Sequence, residues 1–178
     1  MKAVLISIKP EWCLKIANGE KTVEIRKSFP SEKNIGGLPF KCYIYCTKSA
    51  GKFSIPNAEG KPVESAGKII GEFTCDSFGS YSGLVVRDKE ERYIEESCVP
   101  IDRIDEYRNG GEAYLWHISN LRIYHKPVEL NDFWGIKPCK KPYECCVCEK
   151  FDIEKMDCNE KLSIARPPQS WCYVDIGD

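Results

Sequence analysis

The sequence predicts a single α+β domain, mainly β, in which a few short helices flank a partly closed β-barrel. Five or six segments are rich in β-branched or aromatic residues and are bounded by Gly, Pro, Asn or Asp, as strands commonly are. The helical patterns are short and do not alternate regularly with these segments, which argues against a parallel α/β sheet. A chain of 178 residues can bury one sizeable core, so residues 1–178 are expected to form one domain.

The first elements are a strand, a short helix and a second strand. Residues 1–9 have an apolar stretch too short for a signal peptide and predict the first strand. Pro10 suits the first turn of a helix, where its missing N–H would have no partner, and Gly19 suits the residue beyond the helix end. The pattern therefore predicts a helix over residues 10–18.

The second strand alternates polar and apolar residues. The polar row consists of Thr22, Glu24 and Arg26, and Lys21 lies at its start, while Val23 and Ile25 point to the opposite face. One interpretation is an amphipathic edge strand whose charges face water. The other is a functional face that places a hydroxyl, a carboxylate and a guanidinium side by side.

The later elements follow from the same signals. Further strands are predicted at residues 40–47, 67–75, 113–124 and 170–176, and short helices at residues 102–107 and 128–133. The second helix is supported by Pro127 at its start. Residues 48–66 contain several Gly and Pro and predict a long loop, which is either functional or disordered.

Four segments together resemble the ASCH domain, a small β-barrel family related to the PUA RNA-binding fold. The opening motif is Gly19-x-Lys21-x-x-Glu24-x-Arg26, preceded by Ser7-x-Lys9-Pro10 and the short helix. Residues 68–73, 113–118 and 166–174 are similar to the form of the family met in phage and bacterial genomes. The resemblance spans most of the chain, with a gap near residues 136–162.

The resemblance implies a barrel with a cleft lined by the motif strand and by residues of the last strand. Carried onto this sequence, it implies a site formed by Lys21, Glu24 and Arg26, with Lys9, Ser170 and Trp171 as neighbours. Trp171 would stack on a base or pack in the core. His117, on the strand at 113–124, is assigned no role, because a lone histidine is more often a hydrogen-bonded structural residue.

The function that this resemblance favours is binding of RNA or of a modified nucleotide. Glu24 would accept a hydrogen bond from an exocyclic amine, Arg26 would hold a phosphate or a carbonyl, and Lys21 would neutralise phosphate. The charge distribution agrees, because residues 1–52 carry ten Lys and Arg against four Asp and Glu in a chain of net charge −1. The alternative for these charges is a solvated surface.

Two alternative functions stay open. Some small ASCH proteins hydrolyse the acetyl amide of acetylcytidine with a Lys, a Thr three residues later and a distant Glu. Lys21 matches, but Glu24 occupies the position of the nucleophile, and a carboxylate is a weak nucleophile toward an amide. An amidohydrolase would therefore need Thr22 as a shifted nucleophile, or Glu24 as a general base with Lys21 stabilising the oxyanion. The third function is an interaction adaptor.

Residues 136–162 form a cysteine-rich insertion that holds five of the eleven cysteines. A segment with so little apolar surface needs a cross-link or a bound metal to offset the entropy lost when it becomes ordered. Cys139, Cys145, Cys148 and Cys158 match a tetrahedral structural zinc site, and Cys146 is the alternative to Cys145. A disordered loop or a redox-labile thiol cluster are the other interpretations. In an adaptor, this insertion would be the docking surface.

Cellular location is predicted from what the sequence lacks. No apolar run approaches the roughly 20 residues that cross a bilayer, so no membrane partner is expected. Without a recognisable signal peptide, the protein is expected in the cytoplasm, where thiols stay reduced. The cysteines within apolar patterns, Cys13, Cys42, Cys46 and Cys75, are then expected to pack as small hydrophobic residues.

Overall fold

The computed structural model of the protein describes residues 2–83, 88–136, 151–152, 157–158 and 161–175. The strands are β1 (Lys2–Ile8), β2 (Val23–Arg26), β3 (Phe40–Cys46), β4 (Ser54–Pro56), β5 (Pro62–Glu64), β6 (Ile69–Tyr81), β7 (Ala113–Val128), β8 (Trp134–Ile136), β9 (Phe151–Asp152), β10 (Asp157–Cys158), β11 (Lys161–Ser163) and β12 (Trp171–Asp175). The helices are α1 (Pro10–Ala17), α2 (Glu32–Ile35), α3 (Asp88–Glu96) and α4 (Ile101–Arg108).

Eight of these strands form one mixed sheet in the order β11-β8-β12-β1-β3-β6-β7-β2. β1 pairs parallel with β3 and antiparallel with β12, and the other neighbours are antiparallel. Register shifts interrupt the ladder between the two longest strands, β6 and β7, and such irregularities bend and twist a sheet. Within the described residues no ladder joins β2 to β11, so the barrel stays open. The predicted fold class, mainly β with short flanking helices, is confirmed.

Three hydrophobic clusters hold the sheet together. The inner cluster lies between β1, β3, β6 and β7 and receives Cys13 and Ile16 of α1. A second cluster covers the other face of β1 and β3, and a third joins Val23 and Ile25 of β2 to the helices α3 and α4. β2 therefore lies between the inner cluster and a layer of helices, and both of its faces are buried.

Most of the predicted elements are confirmed. α1 begins at Pro10, and Gly19 follows its end with a φ of +75°. Cys13, Cys42, Cys46 and Cys75 are buried free thiols, as expected of small hydrophobic residues. The loop at residues 48–66 contains the short hairpin β4–β5. Within the described residues, no helix is both long and apolar enough to span a membrane.

The predicted helix at residues 128–133 is wrong. Pro127 and Val128 end β7, where Val128 pairs with Ile69 of β6, and only a 3-10 turn at Leu130–Asp132 follows. Pairing with β6 outweighs the local proline signal, because a proline is tolerated near the end of a strand. Helix α3 was not predicted, since Tyr93 is its one buried residue and its apolar periodicity is correspondingly weak.

Candidate functional site

The turn after α1 delivers Lys21 to the start of β2. The backbone N–H groups of Glu20 and Lys21 both donate to the carbonyl of Lys15, at 2.9 and 3.1 Å, which closes the helix end. The positive φ of Gly19 allows this reversal, since a residue without Cβ adopts that conformation at little cost. The N–H of Thr22 then donates to the carbonyl of Glu96, so α3 holds the entry to β2.

The pairing of β2 with β7 determines what lies beside the motif residues. Glu24 pairs with Trp116 and Arg26 pairs with Tyr114, so all four side chains lie on the inner face. Glu24, Arg26 and Trp116 are buried. The interpretation of β2 as an amphipathic edge strand with its charges in water is therefore wrong.

Lys21, Glu24 and Arg26 converge in one buried ion cluster. Glu24 Oε1 lies 2.7 Å from Arg26 Nη1, and Glu24 Oε2 lies 3.4 Å from Lys21 Nζ. The carboxylate thus stands between two cations. In a low-dielectric environment such pairing is needed to keep all three groups charged.

Lys21 is fully engaged in this cluster. Its ammonium donates hydrogen bonds of 2.7 Å to the carbonyl oxygens of Val23 and Ser97, and the third direction faces Glu24. Burial lowers the pKa of Lys21 below its ordinary value, although Glu24 opposes that shift. With only 2% of the residue exposed, the ammonium is out of reach of a phosphate in this conformation.

Arg26 connects the cluster to β1 and to the segment before β12. Its Nη2 donates to the carbonyl of Ser7 at 2.6 Å, and its Nη1 donates to the carbonyl of Ile25. Ser7 in turn donates from its N–H to the carbonyl of Ser170 and from its hydroxyl to the carbonyl of Pro168. The guanidinium is therefore fixed by one backbone carbonyl of β1 and one of β2.

Three buried polar atoms of the inner face have no hydrogen-bond partner within the described residues. They are Glu24 Oε2, Arg26 Nε and Trp116 Nε1. Trp116 is completely buried, and its pairing with Glu24 places the indole beside the carboxylate. A buried donor or acceptor without a partner costs about 1–3 kcal/mol, so such atoms are rare and each calls for an explanation. We refer to Glu24, Arg26 and Trp116 as the inner site.

The other residues that the sequence nominated lie around the inner site. The side chain of Lys9 is exposed, and its carbonyl begins α1 by accepting from Trp12 and Cys13. Ser170 contributes its carbonyl to Ser7. Trp171 is half-buried, its ring lies 6.1 Å from that of Trp116, and its indole N–H donates to Ser28 Oγ at 3.1 Å.

Two further residues considered from the sequence, Thr22 and His117, do not belong to the inner site. Thr22 precedes β2, and its N–H and its carbonyl are bonded to Glu96 and Ile118 respectively. His117 lies on the outer face of β7, where its Nδ1 is 2.7 Å from Asp76 Oδ1 and its ring stacks on Tyr93. This agrees with a hydrogen-bonded structural histidine.

Sequence reasoning missed the contributions of Trp116, Ser7 and Ser97 to the site. Trp116 falls within the predicted strand at residues 113–124, but its position beside Glu24 depends on the register of β2 against β7. Ser97 follows the unpredicted helix α3 and contributes only a carbonyl, which every residue type possesses. Ser7 could have been found from its place in the segment Ser7-x-Lys9-Pro10. It contacts Arg26 through its backbone carbonyl, however, and not through its hydroxyl.

The predicted zinc ligands lie outside the described residues. Cys139, Cys145, Cys146 and Cys148 are not described, and of Cys158 only the backbone within β10 is described. Among the described residues, no group of three or more His, Cys, Asp and Glu is arranged to hold a metal ion.

The fold is similar to that of an ASCH protein from Zymomonas mobilis. Its crystal structure aligns with a TM-score of 0.58 and 18% identity over 98% of this chain and 88% of that chain. A Tyr-to-Phe mutant of the same protein aligns with a TM-score of 0.59 and 18% identity over 99% and 92%. A Ser-to-Ala mutant gives 0.58 and 18% over 98% and 89%.

The similarity is detected in three dimensions. No family model matches the chain, and no curated protein sequence matches it. The structures nonetheless cover almost the whole chain, including the motif strand, the inner cluster and the last strand. The resemblance carried by the opening motif is thus confirmed at the level of the fold, and the chain has the ASCH fold.

Proposed function

We propose that the protein binds a single nucleobase, presented by RNA or by a free nucleotide, at the inner site. The observation that carries this proposal is the buried carboxylate of Glu24, which is ion-paired with Lys21 and Arg26 but whose Oε2 accepts no hydrogen bond within the described residues, beside two N–H donors without partners. A buried charge held in place by Lys21 and Arg26 is preorganised, so a ligand does not have to order it.

The hydrogen-bonding pattern of these atoms favours one kind of base edge. The inner site offers one acceptor, Glu24 Oε2, and two donors, Arg26 Nε and Trp116 Nε1. A base with one amine donor and two acceptors would satisfy all three, and cytosine has N4–H₂, N3 and O2 on its Watson–Crick edge. Uracil presents O4 as an acceptor where cytosine has its amine, which would face the carboxylate unfavourably.

Lys21 has a supporting role in this proposal. Because its ammonium is saturated by two carbonyls and Glu24, it fixes the carboxylate and does not contact phosphate. Binding of a free nucleoside is then expected to depend weakly on salt, in contrast to a phosphate-driven interaction. The ASCH fold supports the proposal through the resemblance to a family related to an RNA-binding fold.

Calorimetric titration with cytidine and uridine tests the proposal. We expect cytidine to bind at least about tenfold more tightly than uridine, because uridine brings the acceptor O4 against the Glu24 carboxylate. Glu24→Gln should weaken cytidine binding by about tenfold, since a charge-assisted hydrogen bond becomes a neutral one. Glu72→Gln, on β6, is the matched control and should bind cytidine as the wild type does.

The same titration separates the alternatives. Equal affinity for cytidine and uridine, or none for either, would contradict the proposal. Turnover of N4-acetylcytidine that Glu24→Gln abolishes would instead establish an amidohydrolase. The adaptor would be established by two results together. The Glu24 variant and the wild type would give the same titration with each nucleoside, and a protein partner would bind through residues 136–162.

We further propose that residues 136–162 are held by one structural zinc ion. The support is the set Cys139, Cys145 or Cys146, Cys148 and Cys158, which provides four thiolates in a segment with few aliphatic residues. Elemental analysis should find one zinc per chain, and Cys148→Ser should lose it. Purified protein without zinc, with all five thiols titrating freely under native conditions, would contradict this proposal.

A further inference from the structure

We infer that residues 28–37, here called the cover segment, form the removable lid of the inner site, and that the ring of Phe29 is the part of the lid that closes the site. This inference rests on the proposed function and adds the route by which a base reaches Glu24. It starts from the closure of the site, because the side chains of Glu24 and Arg26 are only 5% and 10% exposed. A ligand can reach them only if a covering element moves.

The elements around the inner site differ in how firmly they are held. β1, β3, β6 and β7 are joined to one another by extensive ladders, and α1 inserts Cys13 and Ile16 into the inner cluster. The cover segment, which connects β2 to β3, contains only the four-residue helix α2, none of whose residues is buried. Its inward contacts are those of the buried Pro30 and of Phe29 and Ile35, which pack on the inner cluster. Because it has fewer buried residues than β1, β3, β6 or β7, it is the element that can leave the site at the lowest cost.

Phe29 is the part of the cover segment that reaches inward. Its ring stacks on Phe78 with centroids 4.2 Å apart and an interplanar angle of 28°. It meets Trp116 edge-on at 5.4 Å and Phe40 edge-on at 5.6 Å. Trp116 is the neighbour of Glu24, so Phe29 is separated from the carboxylate by one side chain.

These ring contacts resemble the setting that a protein gives to a nucleobase. A base in a recognition pocket stacks on one aromatic ring and meets hydrogen-bonding groups at its edge. Phe29 has such a stacking partner, Phe78, and lies edge-on against Trp116, whose Nε1 has no hydrogen-bond partner within the described residues. Withdrawal of the Phe29 ring would leave Phe78 free to stack on an incoming base and would open the Trp116 side of the inner site.

The cover segment is fastened by two hydrogen bonds to β12. Trp171 Nε1 donates to Ser28 Oγ at 3.1 Å, and the N–H of Ser31 donates to the hydroxyl of Tyr173 at 3.0 Å. Both bonds are exposed, so water competes for them. This assigns Trp171 a role as a latch, different from the base-stacking role that the sequence suggested.

The far end of the cover segment contains a pair of glycines suited to a hinge. Gly36 and Gly37 have φ values of +77° and +91°, and neither would meet an atom within 4 Å if a Cβ were added. Such residues absorb changes in backbone dihedral angles at little steric cost. The cover segment thus has the features of a lid. It is attached to β2 at one end, has two adjacent glycines at the other, and is held to β12 by two exposed hydrogen bonds.

Two substitutions test the inference, each with a matched control. Phe29→Ala removes the ring and should tighten cytidine binding about 3–10-fold, because the closed state no longer competes with the base. Its control is Phe53→Ala, which removes a partly buried ring that packs on the same inner cluster but does not contact Phe29.

Ser28→Ala removes one of the two hydrogen bonds to β12 and should accelerate cytidine association about 2–3-fold. Its control is Ser49→Ala, whose hydroxyl bonds only within an exposed turn.

A measurement without ligand separates this inference from the proposed function. Phe29→Ala should increase acrylamide quenching of tryptophan fluorescence, because the indole of Trp116 becomes accessible, while Phe53→Ala should not. Unchanged quenching, or cytidine binding weakened by Phe29→Ala in a folded protein, would overturn the inference. Increased quenching with no cytidine binding by any variant would support the lid and overturn the proposed function.

Discussion

Glu24 and Glu72 are two carboxylates of the same sheet, and the difference between them separates a candidate site from a structural ion pair. Glu72 on β6 has both oxygens satisfied, Oε1 by Lys41 at 3.2 Å and Oε2 by the hydroxyl of Tyr124 at 2.8 Å. Glu24 on β2 also has a lysine neighbour, but its Oε2 has no hydrogen-bond partner within the described residues. The Glu24 side chain is 5% exposed and that of Glu72 is 18% exposed.

The comparison shows that charge pairing alone does not identify a functional residue. Both carboxylates belong to strands and lie beside a lysine. Each also has an aromatic neighbour, Trp116 for Glu24 and Tyr124 for Glu72. What distinguishes Glu24 is deep burial together with an oxygen that accepts no hydrogen bond within the described residues, a combination that costs stability and therefore calls for an explanation. Four predictions test this contrast, in order of decreasing effect.

Loss of the Glu24 carboxylate should produce the largest change. Glu24→Ala leaves Lys21 and Arg26 buried without a counter-charge, so we expect the free energy of unfolding to fall by about 3–5 kcal/mol. Glu72→Ala should cost about 1 kcal/mol, because Lys41 is 40% exposed and water replaces its partner. Urea denaturation measures both, and similar losses from the two variants would remove the contrast.

Arg26→Lys should give an intermediate effect. Arg26 donates to Glu24, to the carbonyl of Ser7 and to that of Ile25, and a single ammonium cannot reproduce this planar fork. We expect a loss of about 2 kcal/mol in urea denaturation and loss of the preference for cytidine over uridine. Lys41→Arg, in the Glu72 cluster, is the control and should leave both quantities unchanged. A fully stable, fully selective Arg26→Lys protein would show that the fork is dispensable.

Lys21 should give the cluster a characteristic pH dependence. Burial lowers its pKa in the folded protein below the ordinary value near 10.5 that the unfolded chain retains. Between these two values the unfolded chain binds more protons, so the wild type should gain stability relative to Lys21→Met as the pH rises from 7 to about 10. Urea denaturation across this range measures the difference between the two proteins.

The wild type must be compared with Lys21→Met at each pH, because the buried thiols change the free energy of unfolding with pH in the direction opposite to Lys21. Burial raises the pKa of Cys42 well above its ordinary value, so the unfolded chain loses a proton first and stability falls at high pH. Both proteins contain these thiols, and their effect cancels. A constant difference between wild type and Lys21→Met would mean that the buried ammonium keeps its ordinary pKa.

Lys41→Met should give the smallest effect of the four. Its ammonium is 40% exposed and pairs with Glu72 at 3.2 Å, so the expected change in unfolding free energy is at most about 1 kcal/mol. That change should shrink further in high salt, whereas the cost of Glu24→Ala should persist, because a buried cluster is screened little. Equal salt sensitivity of the two variants would indicate that the Glu24 cluster is hydrated.

The sequence predicted the local parts of this site and missed the non-local ones. Alternation placed Glu24 and Arg26 on one face of a strand, and the Pro10 and Gly19 signals bounded α1 correctly. Burial of β2 could not be predicted, because the layer that covers its outer face comes from α3 and α4, far along the chain. The charged inner face is buried beside Trp116 of β7, and a strand in which Glu24 and Arg26 alternate with apolar residues has the same pattern whether water or a tryptophan lies against that face.

Register explains the remaining errors. The partnership of Glu24 with Trp116 depends on how β2 aligns with β7, and a shift by one residue would place Leu115 there instead. The wrong helix at residues 128–133 has the same origin, since pairing of Val128 with Ile69 extends β7 through Pro127. Such pairings are decided by tertiary packing, for which a local pattern carries no signal.

The most direct test of the account is the indole N–H resonance of Trp116 in a nitrogen-edited NMR titration with cytidine. We expect cytidine to cause a large downfield shift of this resonance as its buried N–H gains an acceptor, while the resonance of the Trp12 indole does not move and uridine causes a smaller change. A Trp116 indole resonance that does not move at saturating cytidine would contradict the claim that the unpartnered atoms beside Glu24 are a binding site.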